Sequence, residues 1–271
     1  MKKVILVTGI SSGFGKQTAR LLAAKGHTVY GTVRKETENE PGVNYLIMDL
    51  LNSESIKSTI GTILEKEGRI DVLINNAGAH TGGPIETSPV ENIRVQMDTN
   101  FMGLVHITKE VLPVMRKQGG GTIVNFSSIG GLMGLPFQGY YSASKFAIEG
   151  FSEALRMEVA EYKINIVLIN PGDFHTSNSA NRRNYLAPTG PEDSYNAQYE
   201  KSMVQIEKYE ANGWDPAKLA AQIVGIAESN NPKQRYIISS FEQKLAVALK
   251  YVLPGKIFRM ILQDHYKIKG K

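Results

Sequence analysis

Val4-Ile5-Leu6-Val7-Thr8-Gly9-Ile10-Ser11-Ser12-Gly13-Phe14-Gly15 sets four consecutive apolar residues directly before three glycines. An apolar run without alternation predicts a strand buried on both faces, as in parallel sheets. Glycines at 9, 13 and 15 let the chain turn sharply and open a helix whose first amides are unobstructed. Such a helix N-terminus suits a pyrophosphate, because its free amides and dipole favour an anion. Gly9, Ser11, Ser12, Gly13, Phe14 and Gly15 are therefore candidate dinucleotide contacts. A glycine pattern alone is a weak signal; its place straight after a strand gives it weight.

Outward from this turn, short apolar runs alternate with longer helical patterns, the signature of βαβ units. Strands are predicted at 4–7, 28–32, 44–48, 72–75, 121–126, 165–170 and 235–238, and helices at 14–25, 53–67, 89–117, 140–162 and 216–228. Gly26 ends the first helix, and Asp215 before Pro216 is an N-cap followed by a first-turn proline. The expected architecture is α/β: one Rossmann-type, doubly wound, parallel seven-stranded sheet with helices on both faces. At 271 residues and 42% hydrophobic content, one sizeable domain over 1–243 is expected. An irregular polar stretch runs from 177 to 213, and a basic extension from 244 to 271.

Several function classes are disfavoured. Without cysteine there is no disulfide or thiolate chemistry, and the composition suits a reducing cytoplasm. The basic start Met1-Lys2-Lys3 resembles a signal peptide, but its apolar run ends at Thr8-Gly9. No stretch of about 18 apolar residues predicts a membrane span. Histidines at 27, 80, 106, 175 and 265 are scattered, so no metal site is expected. The net charge is +5, yet no nucleic-acid recognition motif accompanies it.

Farther along, Tyr141 and Lys145 stand four apart in Gly139-Tyr140-Tyr141-Ser142-Ala143-Ser144-Lys145. On a helix that spacing brings a phenol and an ammonium to one face, about 6 Å apart along the axis. Any amphipathic helix shows it too, so its weight comes from company. Asn75-Asn76-Ala77-Gly78, then Asn100 within Asp98-Thr99-Asn100-Phe101-Met102-Gly103, then Asn125-Phe126-Ser127-Ser128 precede it in order. Together with the glycine turn, the set resembles the classical short-chain dehydrogenases/reductases over most of the chain. Its pattern is closest to hydroxysteroid and retinol dehydrogenase-like members. The Gly-x-x-x-Gly-x-Gly spacing resembles that classical branch rather than the extended branch rich in nucleotide-sugar epimerases.

The resemblance implies reversible hydride transfer between a nicotinamide and a carbonyl or secondary alcohol, with a catalytic set of Asn100, Ser128, Tyr141 and Lys145. Tyr141 would exchange the proton with the substrate oxygen, and Ser128 would hydrogen-bond that oxygen. Lys145 would favour the ionised phenol and grip the nicotinamide ribose. Asn100 would distort its helix and bind a water on the proton path. Ser128 is chosen over Ser127 because the family separates this serine from the tyrosine by 13 positions; Ser127 is expected to cap its own backbone. Tyr140 is expected to pack beside the pocket.

An acidic residue at the end of the second strand would hold a ribose 2′-hydroxyl. Here Val33 is followed by Arg34 and Lys35, two cations and no carboxylate, which favours NADP(H), with NAD(H) as the alternative. A solvated basic turn would read the same. The resemblance adds Asp49 and Leu50 at adenine, and Asn76, Ala77 and Gly78 along the adenosine, mainly through backbone. Tyr141 and Lys145 join them, with Pro171, Gly172 and Thr176 of Pro171-Gly172-Asp173-Phe174-His175-Thr176 near the nicotinamide carboxamide.

Residues 177–213 cover the substrate in the resembled family. Tyr185, Tyr195, Tyr199, Tyr209 and Met203 are read as the wall of an apolar pocket or as half-buried core. A steroid-, retinoid- or lipid-like substrate is expected. The alternatives are an NAD(H)-dependent dehydrogenase of a small polar alcohol and a nucleotide-sensing protein without turnover; the complete Ser128, Tyr141 and Lys145 set opposes the latter. His80 and His175 are read as packed or solvated. A homodimer or homotetramer is implied by the resemblance. The tail from 244 carries seven cations against Asp264, interleaved with Leu245, Val247, Leu249, Tyr251, Leu253, Ile257, Phe258, Ile261 and Leu262. That mixture fits docking on the domain or on a second subunit, or weak peripheral contact with an anionic membrane from a cytoplasmic location.

Overall fold

The computed structural model describes residues 1–175, the backbone of 183–184, and residues 195–268. In chain order these form β1 (Val4–Thr8), α1 (Gly13–Ala24), β2 (Thr28–Val33), β3 (Val43–Ile47), α2 (Ser53–Glu67), β4 (Val72–Asn75) and β5 (Thr81–Gly82). They continue with α3 (Val90–Met97), α4 (Gly103–Gln118), β6 (Gly121–Phe126), α5 (Gly139–Glu158), β7 (Ile164–Pro171) and β8 (Arg183–Asn184). The described chain ends with α6 (Asn196–Ala211), α7 (Pro216–Glu228), β9 (Arg235–Ile238), α8 (Phe241–Val252) and α9 (Gly255–His265). Seven strands make one parallel sheet in the order β3-β2-β1-β4-β6-β7-β9, while β5 and β8 pair separately. It is the doubly wound α/β architecture expected.

Alternation along β1 explains its unbroken apolar reading. Ile5 and Val7 enter a core with Leu22 of α1 and Ile223 of α7, whereas Val4 and Leu6 face Ile60 of α2, Ile107 of α4 and Leu155 of α5. Each face of the strand thus has its own helical layer, and the sheet edges rather than its faces meet solvent. Order reverses around β1, which lies between β2 and β4, and the crevice at the carboxyl ends of these strands is where open α/β sheets take ligands.

Helix punctuation follows local chemistry. Asp215 Oδ1 accepts from the Ala217 amide at 2.8 Å ahead of α7, with Pro216 in its first turn. Gly26, at φ +85°, turns the chain out of α1.

The long helix expected at 89–117 is divided. α3 ends at Met97, a π turn spans Asp98–Met102, and α4 resumes at Gly103. The widened turn falls on Asn100, where a side chain that competes for backbone hydrogen bonds has a role the helical period does not report. The fifth helix closes at Glu158 and the polypeptide reaches Tyr162 through a short 3₁₀ turn. Within the stretch read as irregular, 196–211 is helical. The basic tail is two helices, and Val247 and Phe258 pack with Ile129, Leu132 and Met133 behind β6.

Candidate active site

The glycine turn is shaped by what a side chain would strike. Gly9 sits at φ +70°, and a Cβ there would lie 2.7 Å from the Cα of Ala77. A Cβ on Gly15 would run into the amide of Asn76 and the carbonyl of Gly9. The close approach is held by Asn76, whose Nδ2 donates to the carbonyls of Thr8 and Gly9, each at 2.9 Å, while the Asn76 and Ala77 amides donate to Thr8 Oγ1. The side chain of Asn76 therefore does more than the backbone role expected of it: it ties the β4 end to the β1 turn. The first amides of α1 stay open to a pyrophosphate.

At the end of β6, Ser128 Oγ accepts from the Gly130 amide at 3.0 Å and caps a 3₁₀ turn at Ile129–Gly131. The capping expected of Ser127 thus falls to Ser128, and Ser127 Oγ instead donates to the Lys145 carbonyl at 3.4 Å. The Gly130 amide occupies one lone pair of the Ser128 hydroxyl and leaves its proton uncommitted to that contact, and Ser128 borders the cleft.

Tyr141 and Lys145 lie one turn apart on α5. Lys145 Nζ is 5.7 Å from the Tyr141 ring centre and donates to the Phe126 carbonyl at 2.8 Å. Burial pushes its ammonium down from 10.5 to about 8, against the pull of the Glu149 carboxylate. His80, read from sequence as packed or solvated, stacks on Tyr141 with ring centres 4.1 Å apart. Nothing in its sequence context distinguishes it, because the loop after β4 and α5 meet only in the fold. Tyr140 donates to the Ile85 carbonyl, outside this cluster.

Asn100 reaches the same place from the π turn. Its Oδ1 accepts from the Ala79 amide at 2.7 Å; its Nδ2 donates to the Ala79 carbonyl and to Ser144 Oγ, both at 3.0 Å. Gln96, unremarked in the sequence, is fully buried and holds Ala79 and Thr81 of the same loop.

His80, Ser128, Tyr141 and Lys145 line one cleft of about 1000 Å³, with Asn100 and Gln96 behind its wall. Gly9, Ser11, Ser12, Gly13, Phe14, Arg34, Asp49, Leu50, Asn76, Ala77, Gly78, Pro171 and Gly172 all border it. Gly15 and Lys35 are not among the residues that border it, whereas Arg34 is. Among the described residues neither cation has a hydrogen-bond or ion-pair partner. Asp49 Oδ1 accepts from the Leu51 amide at 2.9 Å. Thr176 and Tyr185 lie outside the described residues. Of the other aromatic candidates, Tyr209 lines the cleft, Tyr199 and Met203 are core, and Tyr195 donates to Glu86 at 2.9 Å. The far arm of the cleft is apolar, walled by Leu245, Leu249, Phe258, Ile261 and Leu262 of α8 and α9.

Residues 3–186 match the family described as short chain dehydrogenase, and the chain belongs to that family. It is 46% identical over 267 residues to a 3-ketodihydrosphingosine reductase of Bacteroides thetaiotaomicron, spanning 98% of this chain and 99% of that one. A dehydrogenase/reductase SDR family member 7B of Bos taurus is 34% identical over 275 residues, covering 95% and 80%. A solved short-chain dehydrogenase of Streptomyces avermitilis superposes with a TM-score of 0.81 at 30% identity, covering 98% and 97%. The protein is an oxidoreductase that binds a nicotinamide dinucleotide.

Proposed function

We propose that the protein is an NADP(H)-dependent oxidoreductase whose substrate is a carbonyl, or in reverse a secondary alcohol, on a long apolar, lipid-like molecule. The observation that supports this most is the continuity of the cleft: it runs from the glycine turn past Tyr141 into the apolar arm under α8 and α9. When bound, the nicotinamide supplies or accepts the hydride. Ser128 donates its free proton to the substrate oxygen and stabilises charge developing there. Tyr141 transfers its phenolic proton to the same oxygen in reduction and removes it in oxidation. Lys145, held by the Phe126 carbonyl, lowers the cost of the phenolate by its charge, and its remaining N–H groups would hold the ribose hydroxyls of a bound cofactor. Asn100 braces the loop beside them. The likeness to a 3-ketodihydrosphingosine reductase supports a long-chain keto substrate.

The test is a panel of kcat/KM values for long-chain 3-keto amines, steroids, retinoids and small polar ketones with both cofactors. The long-chain ketones with NADPH are expected to lead. Equal or better use of NADH, or a preference for small polar ketones, sinks the corresponding part of the reading. In Arg34→Ala the NADPH preference is expected to narrow by roughly ten- to a hundredfold, since a charge-assisted contact contributes about 1.5–3 kcal/mol.

Peripheral membrane contact belongs to the same proposal. Tyr251, Val252 and Met260 are exposed on α8 and α9 away from the cleft lining, on helices that also carry the exposed Lys244, Lys250, Lys256 and Arg259. No helix among the described residues is long and apolar enough to cross a membrane. Co-sedimentation with anionic vesicles is expected at low salt, weakening as salt rises and lost in Lys250→Glu with Arg259→Glu, because each cation near such a surface contributes about 1 kcal/mol. Absence of binding at low salt leaves α8 and α9 as lids of the cleft alone.

A further inference from the structure

Glu149 stands one turn beyond Lys145 on α5, buried, and is not among the residues that border the cleft. Its Oε2 accepts from Arg235 Nη1 of β9, and its Oε1 accepts from Asn170 Nδ2 of β7 at 2.6 Å. Asn170 is wholly buried. Its amide donates a second time, to the Ser128 carbonyl at 2.9 Å, while its Oδ1 accepts from the same Arg235 Nη1 at 3.0 Å. The parallel pairing of β6 with β7, Phe126 beside Ile169, is what sets Asn170 abreast of Ser127 and Ser128. A closed ring of three side chains from three elements thus ends on the backbone of the serine that faces the substrate.

Burying a carboxylate is costly unless it is paired and its lone pairs are filled, and here both oxygens are engaged. Apolar residues would fill such a place at least as stably. The charges around Lys145 give the ring a purpose. On α5, Tyr141 precedes it, with the His80 ring stacked on that phenol, and Glu149 follows it. Behind Glu149 lies Arg235, whose Nη2 also donates to Glu153 at 3.3 Å, and Arg156 is bound to the Ile166 and Gln234 carbonyls. From β6 and the π turn come only neutral groups, the Phe126 carbonyl and Asn100. Among the described residues, Glu149 is the anion set against the desolvation of Lys145.

We propose that Glu149, Asn170 and Arg235 are positioning residues for the oxidoreductase reaction: through Asn170 they hold the Ser128 turn in place, and through Glu149 they keep Lys145 charged. This rests on the roles given above to Ser128, Tyr141 and Lys145. Arg235 is the cation paired with Glu149 in its buried place, which ties the carboxylate next to the lysine's helical turn. Without that anion, Arg235 keeps only its pairing with Glu153, and its charge acts on Lys145 in the same direction as burial.

The experiment is the pH profile of kcat/KM for the cofactor, with melting temperature measured alongside. In Glu149→Gln, which keeps shape and loses charge, the alkaline limb is expected to move to lower pH by about one unit or more, from a charge roughly 6 Å away at intermediate dielectric. Glu149→Asp keeps the charge and disturbs the geometry, so its limb is expected to stay while the rate falls. A merely structural residue would lower the melting temperature and the rate at every pH without moving the limb. If the single variant does not fold, Glu149→Gln with Arg235→Gln strands no charge and its limb is expected between the two. A limb unmoved in the folded variant overturns the proposal. Tyr141→Phe measured in parallel separates the two failures: an active Tyr141→Phe defeats the underlying roles, whereas an inactive one with an unmoved Glu149→Gln limb defeats only the relay.

Discussion

Replacing Tyr141 with phenylalanine is expected to lower turnover by about 10²–10⁴-fold, the range supplied by one positioned general acid. Cofactor affinity should change little, because the ring that stacks on His80 at 4.1 Å remains and only the transferable proton goes. Single-turnover absorbance reads the first quantity, and titration of cofactor fluorescence the second. A variant keeping more than about a tenth of wild-type turnover would remove Tyr141 from the proton path.

Lys145→Met is expected to lose roughly 10²-fold or more in turnover while leaving the protein without cofactor no less stable at pH 7. The two effects have one origin. Burial lowers the Lys145 ammonium from 10.5 to about 8, a drop equivalent to roughly 3 kcal/mol at about 1.4 kcal/mol per tenfold. A folded value below the unfolded one means that the unfolded chain holds a proton the native state lacks between these pH values. Wild-type stability therefore rises with pH across that window, and below about 8 it carries the full penalty. Methionine removes the penalty but leaves the Phe126 carbonyl without its donor, which offsets about 1–3 kcal/mol. Denaturant melts of both proteins at pH 7 and pH 10 decide it. If the wild type does not gain on the variant between these pH values, the ammonium is not buried as described. The same titration predicts that kcat/KM for the cofactor declines above about pH 8 in the free enzyme.

Much of this architecture is legible in the sequence, for identifiable reasons. β1 and its turn were legible because a strand buried on both faces has no polar interruption and the turn needs glycine at fixed places. Tyr141 and Lys145 were legible because a helix converts a spacing of four into a shared face. The break at Asn100 was hidden from the helical period, which continues through Val95 and Leu104 as if nothing intervened; only the family resemblance signalled it. His80, Glu149 and Arg235 were illegible for a different reason. Each acts across elements, His80 from the loop after β4 to α5 and Arg235 from β9 to α5, and a contact that spans 86 residues leaves no local pattern. Helix α6 was missed because its residues are mostly polar, so little periodicity marked it.

Asn100 also bears on how the site comes to exist. Its one amide satisfies both the N–H and the C=O of Ala79, and Gln96 adds a second hold on that carbonyl. The loop that carries His80 to Tyr141 is therefore fastened by protein alone, before any ligand arrives. On this side of the cleft, association has little conformational entropy left to remove. The contacts made by an incoming cofactor or ketone can then go toward telling one ligand from another rather than toward ordering the polypeptide.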